Sequence, residues 1–133
     1  MAVTSGMAKM AIRLDSSFLI RALVTDSPES RVLDAWLGAK RAISMSTMAW
    51  GEFLCGPLRE GAAQLATRVT RKHLPLGTED AAEAARLFNA TGRRRGSFQD
   101  CIIAASAIRA GAVLATVDHD FDRFVPEGLK LAE

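Results

Sequence analysis

Apolar positions along this chain fall into short continuous runs, separated by longer stretches in which they recur every three or four residues. Residues 10–14 read as a strand closed by Asp15-Ser-Ser, and residues 17–24 carry a helical rhythm. Ser27-Pro-Glu opens the next helix with a capping hydroxyl, a proline at the first position and an acid in the first turn. Val32, Leu33, Trp36 and Leu37 form its inward stripe, and Gly38 closes it. Residues 42–46 predict a second strand. Thr47 then caps a helix bearing Met48, Trp50, Glu52, Phe53 and Leu54, which ends near Gly56-Pro57. Residues 62–73 predict a helix with Leu65, Ala66 and Val69 inward and His73 at its end. An alanine-rich helix follows over residues 78–89, then a glycine-bounded loop, 92–96, holding Arg93, Arg94 and Arg95. Ser97 begins a helix that stops at Gly111; residues 112–116 predict a third strand and residues 128–131 an edge strand.

Strands alternate with helices, and no two are joined by a tight hairpin. Parallel strands need such crossovers, so the fold class is α/β, with a parallel sheet covered by helices. A length of 133 residues fits one domain. A hydrophobic share of 49% with 24% charged residues excludes a disordered chain. No apolar run approaches the roughly 18 residues of a membrane helix. Residues 1–9 lack the apolar stretch of a secretory signal and read as a flexible leader to a single domain, 10–133. Cys55 and Cys101 have no close cysteine or histidine, which excludes a disulfide framework and a zinc site. A cytoplasmic protein is expected.

The topology brings four acids to one edge. Asp15 follows the first strand and Asp118 the third, so both lie at the carboxyl edge of the sheet, where α/β folds bind ligands. Asp100 opens a helix whose far end feeds that third strand, which puts its start at the same edge. Glu52 lies five residues into the helix leaving the second strand, and helical side chains lean back toward the amino end. Each acid also has a plain reading. Asp15 fits a helix cap, Ser97-Phe-Gln-Asp100 a capping box, Glu52 a solvent-facing position and Asp118 a turn. Those readings leave the convergence of all four unexplained.

Clustered carboxylates repel unless a cation compensates, and oxygen-only ligands select a hard ion such as Mg²⁺ or Mn²⁺. The net charge is only +2, but setting the four acids aside leaves 17 basic against 11 acidic residues, or +6. An acidic metal pocket on a basic body suits a nucleic-acid backbone.

At these residues the chain resembles the PIN-domain ribonucleases, and within them the VapC-type toxins of bacterial toxin–antitoxin pairs. The likeness runs through Asp15-Ser-Ser, Ile43-Ser-Met-Ser-Thr-Met-Ala-Trp-Gly-Glu-Phe-Leu-Cys-Gly56, Asp100-Cys-Ile-Ile-Ala-Ala-Ser-Ala107 and Leu114-Ala-Thr-Val-Asp-His-Asp-Phe121. It implies a three-layer PIN-like fold and carries the family's acidic quartet onto Asp15, Glu52, Asp100 and Asp118. Asp15, Asp100 and Asp118 are then the metal ligands, with Thr116 beside the pocket. It further implies Mg²⁺- or Mn²⁺-dependent endonucleolytic cleavage of RNA, a homodimer and a cognate antitoxin protein.

Arg93, Arg94 and Arg95 stand just ahead of the Asp100 helix, where they contact RNA phosphates or form a solvated loop. His119 and Asp122 read as loop or turn residues, Asp120 as a solvent-facing turn residue or an aid to the metal through water, Cys101 as a packed thiol, and Trp36 and Trp50 as core or interface anchors. A calcium loop starting at Asp118 fails, because Arg123 and Leu129 stand where Gly and Glu are needed. The rival reading is a non-catalytic RNA- or partner-binding PIN-like module.

Overall fold

The computed structural model describes residues 10–132; the expected leader, residues 1–9, lies outside them. Five parallel strands form one sheet: β1 (Ile12–Leu14), β2 (Ile43–Ser46), β3 (Lys72–Leu74), β4 (Val113–Ala115) and β5 (Lys130–Leu131), in the order β3-β2-β1-β4-β5. The crossovers supply α1 (Ser16–Ala22), α2 (Pro28–Gly38), α3 (Thr47–Cys55), α4 (Ala62–Val69), α5 (Thr78–Ala90) and α6 (Phe98–Ala110). A 3₁₀ segment (His119–Glu127) joins β4 to β5. No helix among the described residues is long and apolar enough to cross a membrane.

The central strands β1 and β4 are covered on both faces, which is why Ile12, Leu14, Val113, Leu114 and Ala115 are all buried. Arg13 interrupts the apolar run of β1. Its buried guanidinium donates to the Ser106 hydroxyl of α6, and burial pulls its pKa down against the raising effect of Asp80. α6 in turn packs closely on α5 through small side chains, with Ala84, Ala104, Ala105 and Ala107 fully buried.

Several local expectations are corrected. The fourth helix ends at Val69, not His73. Thr70 leaves helical geometry, its hydroxyl donates back to the Ala66 carbonyl, and Lys72–Leu74 pairs with Ser44–Ser46 as β3. Strand pairing with β2 overrides the helical rhythm there. His73 therefore sits in the sheet, stacked on Trp50 at 4.0 Å, with Nε2 3.1 Å from the Thr70 hydroxyl. Ser46 rather than Thr47 caps α3, accepting from the Ala49 N–H at 3.1 Å. α2 keeps Gly38 as its last residue, and the left-handed turn falls on Lys40 (φ 57°). Leu37 and Leu65, expected inside, are 42% and 41% exposed. Ser27 does cap α2 as expected, accepting from the Ser30 N–H at 2.9 Å.

Candidate active site

The chain runs outward from β1 to β2 and β3, then returns to place β4 on the other side of β1. That reversal opens a crevice at the carboxyl ends of β1 and β4. Asp15 leaves the end of β1, Asp118 follows β4, Asp100 occupies the first turn of α6 and Glu52 the second turn of α3. All four line one open cavity of about 470 Å³. The convergence expected from topology is therefore present.

The competing plain readings fare unevenly. Asp15 stands at the capping position of α1 but makes no capping hydrogen bond. Its Oδ2 instead accepts from the Ser17 hydroxyl at 2.7 Å and from the Thr116 hydroxyl at 2.8 Å, across the seam between β1 and β4. The backbone N–H groups of Val117 and Asp118 donate to those same hydroxyl oxygens, at 3.2 Å and 3.0 Å. Buried to 3% exposure, Asp15 is oriented by side chains about a hundred residues apart. The capping box at Ser97 does not form, because both the hydroxyl and the N–H of Ser97 donate to the Arg94 carbonyl. That frees Asp100 to face the cavity. Asp118 keeps its turn role, with Oδ1 accepting from the Asp120 N–H at 2.9 Å.

Electrostatics record the crowding. The Glu52 carboxyl is pushed above the ordinary carboxylate range by burial, then by Asp15, Asp100 and Asp118, with the Ser16 hydroxyl pulling the other way. Asp100 is raised too, by burial first, against the lowering effect of Arg123 and with Asp118, Asp15 and Asp120 adding to it. A group whose folded pKa lies above its unfolded value binds protons more tightly when folded. Ionising it therefore costs stability, and the cost grows as pH rises through the interval between the two values. Glu52→Gln is accordingly expected to raise the metal-free melting temperature at pH 7 by a few degrees, measured by calorimetry in chelator. A fall would mean that the Ser16 hydrogen bond outweighs the repulsion.

Oxygen donors alone make the site suitable for a hard divalent ion. Carboxylate oxygens of Asp100, Asp118 and Asp120 lie within 4.8 Å of one another. Opposite ligands of a Mg²⁺ ion stand about 4.2 Å apart, so small side-chain rotations bring these oxygens to ligand spacing. Asp15 lines the same cavity without joining that closest set. Asp120, for which the sequence left both a solvent-facing turn and a place near the metal open, is 59% exposed and belongs to the cluster.

All three arginines of the loop are exposed, and Arg94 Nη2 lies 4.0 Å from Oδ2 of Asp120, a member of the closely spaced carboxylates. The sequence reading missed Ser17 and Arg123. The first is recognisable from its place two residues after Asp15; the second is a charged residue between Asp122 and Phe124 with no distinguishing pattern. His119 is 95% exposed, as befits a loop residue. Cys101 is a buried thiol with its pKa raised by burial. Trp36 stacks on Phe18 and Trp50 on Phe53, inside the packing as expected.

A second recess of about 480 Å³, between α1 and α4, is lined by Ile20, Leu23, Val24 and Leu65. Among the described residues its walls carry no group of carboxylates, so the chemistry belongs to the acid cavity.

Residues 12–125 match the PIN domain family. No protein with a curated description matches the sequence. Among solved structures, VapBC2 from Rickettsia felis, crystallised with a DNA fragment from the promoter, is similar at 16% identity and a TM-score of 0.73, covering 92% of this chain and 98% of that one. FitAcB from Neisseria gonorrhoeae is similar at 21% identity and a TM-score of 0.66, covering 92% and 96%. VapC20 from Mycobacterium tuberculosis, a toxin that cleaves the sarcin–ricin loop, is similar at 18% identity and a TM-score of 0.59, covering 92% and 100%.

Proposed function

Because this chain belongs to the PIN-domain family, we propose that it is a metal-dependent endoribonuclease, the toxin of a type II toxin–antitoxin pair. The observation that carries the proposal is the meeting of four acids from four segments in one cavity at the strand reversal. Similar folds in toxin–antitoxin complexes support it.

In this reading Asp15, Asp100 and Asp118 hold Mg²⁺ or Mn²⁺, with Asp120 adding a nearby oxygen. A bound ion of this kind supplies Lewis acidity against the charge that builds on the phosphate during hydrolysis. The hydroxyls of Ser17 and Thr116 fix the Asp15 carboxylate before substrate arrives. Glu52, with its proton affinity raised by burial and neighbouring charge, accepts the proton of the attacking water. Thr116 lies beside the RNA path, and Arg93, Arg94 and Arg95 hold backbone phosphates at the rim.

The cognate antitoxin is the protein partner, supported by exposed Ile20, Val24 and Leu65 around the apolar recess, since such patches mark binding surfaces. A homodimer, a cytoplasmic location and the treatment of residues 10–133 as one domain belong to the same proposal.

The test is incubation of the purified protein with single-stranded RNA and matched DNA, with Mn²⁺ or Mg²⁺ and with chelator. Internal cleavage of RNA that stops in chelator supports the reading; RNA retained without cleavage supports the non-catalytic binding module. Neutralising Arg93, Arg94 and Arg95 is expected to weaken RNA binding and flatten its salt dependence, by roughly 0.7 in log–log slope for each phosphate the loop no longer neutralises. An unchanged slope would make the loop plain solvated surface.

A further inference from the structure

One side chain backs the acid cavity without lining it. Arg123, in the 3₁₀ segment, has only 15% of its side chain exposed. Its Nη2 stands 3.7 Å from Asp100 Oδ2, its Nη1 donates to the main-chain carbonyl of Asp120, and its Cζ lies 4.2 Å from the centroid of the fully buried Phe124 ring. Nε and Nη2 are buried and make no geometrically sound hydrogen bond among the described residues, while the guanidinium lies close enough to the Cys101 thiol to pull its pKa down against burial. Arg123 thus touches both segments that carry the closely spaced carboxylates: α6 through Asp100, and the turn after β4 through Asp120.

We infer that Arg123 is a positioning residue of the metal site, setting the separation of Asp100 from the Asp118–Asp120 turn. The inference rests on the cavity being a metal site. Two other roles make opposite predictions. A mere positive charge beside Asp100 repels a divalent ion, so its removal would tighten binding. A mere packing role would lower the melting temperature and leave ion affinity unchanged in the folded protein.

The test measures Mn²⁺ dissociation constants of the wild type, Arg123→Met and Arg123→Lys by electron paramagnetic resonance of free Mn²⁺, without RNA, well below each melting temperature. Arg123→Met is expected to weaken binding about tenfold or more, the usual cost of losing a group that orients a ligand. Arg123→Lys keeps the charge but loses the planar fork, so it is expected to weaken binding several-fold, and by less. Its result stands alone if Arg123→Met does not fold. Affinity that is unchanged or tightened in a folded variant would overturn the inference. A wild type that binds no Mn²⁺ would instead overturn the metal reading beneath it.

Discussion

Asp100→Asn is expected to reduce metal-dependent RNA cleavage by about 10³-fold or more, a loss of roughly 4 kcal/mol in transition-state stabilisation. The substitution keeps the size and shape of the side chain. It also spares the start of α6, because Ser97 satisfies the Arg94 carbonyl and does not depend on Asp100. What goes is a negative oxygen in the cavity and the counter-charge to Arg123. Metal-free thermal stability is expected to hold or rise at neutral pH, since burial and the neighbouring carboxylates outweigh Arg123 and the Asp100 charge costs stability there. Asp15→Asn is expected to match the loss, because an amide oxygen still accepts from Ser17 and Thr116 while its charge is gone. Cleavage assays beside circular dichroism decide the matter. A folded Asp100→Asn protein with undiminished cleavage would remove Asp100 from the site.

Mn²⁺ at a hundred times its dissociation constant is expected to stabilise the folded protein by about 2.7 kcal/mol, because the unfolded chain does not assemble the site. In a domain of this size that is roughly 5–10 °C in melting temperature. The gain depends on pH in a direction set by Glu52 and Asp100, whose folded pKa values lie above the ordinary carboxylate range. Protonating Asp100 removes a ligand oxygen and protonating Glu52 removes a negative charge beside the ion, so at fixed Mn²⁺ the gain shrinks as pH falls from neutral toward that raised range. Over the same interval these two groups make the metal-free protein more stable as pH falls, since the folded form takes up the protons. Thermal melts with and without Mn²⁺ between pH 5 and 8 measure both trends. Melting temperatures that ignore Mn²⁺ at every pH would show that the cavity binds no such ion.

The sheet and its carboxyl edge were legible because strand and helix periods alternate along the chain, and alternation forces parallel crossovers. Asp15, Glu52, Asp100 and Asp118 were legible for the same reason, as their positions relative to strand ends follow from order alone. β3 was not. Its three residues, Lys72–Leu74, continue a basic helical stripe, and only the neighbouring strand β2 makes them extended. The capping box at Ser97 misled because sequence shows which hydroxyls are present, not that the Arg94 carbonyl is nearer. Arg123 was hidden for a further reason. A charged residue in an acid-rich turn looks solvated until packing against Phe124 shows it to be enclosed.

The pair of hydroxyls on Asp15 has a consequence for when activity can first appear. Ser17 is made about a hundred residues before Thr116, yet both hold the same carboxylate oxygen, and the backbone of Asp15 itself donates to Ala115 in β4. A growing chain that already contains Asp15, Glu52 and Asp100 still has no closed seam. Pairings of such long sequence separation form late, after the intervening loop entropy has been overcome. For a chain whose chemistry would be directed at RNA, this order of assembly keeps the nascent polypeptide inert until β4 has left the ribosome that is making it.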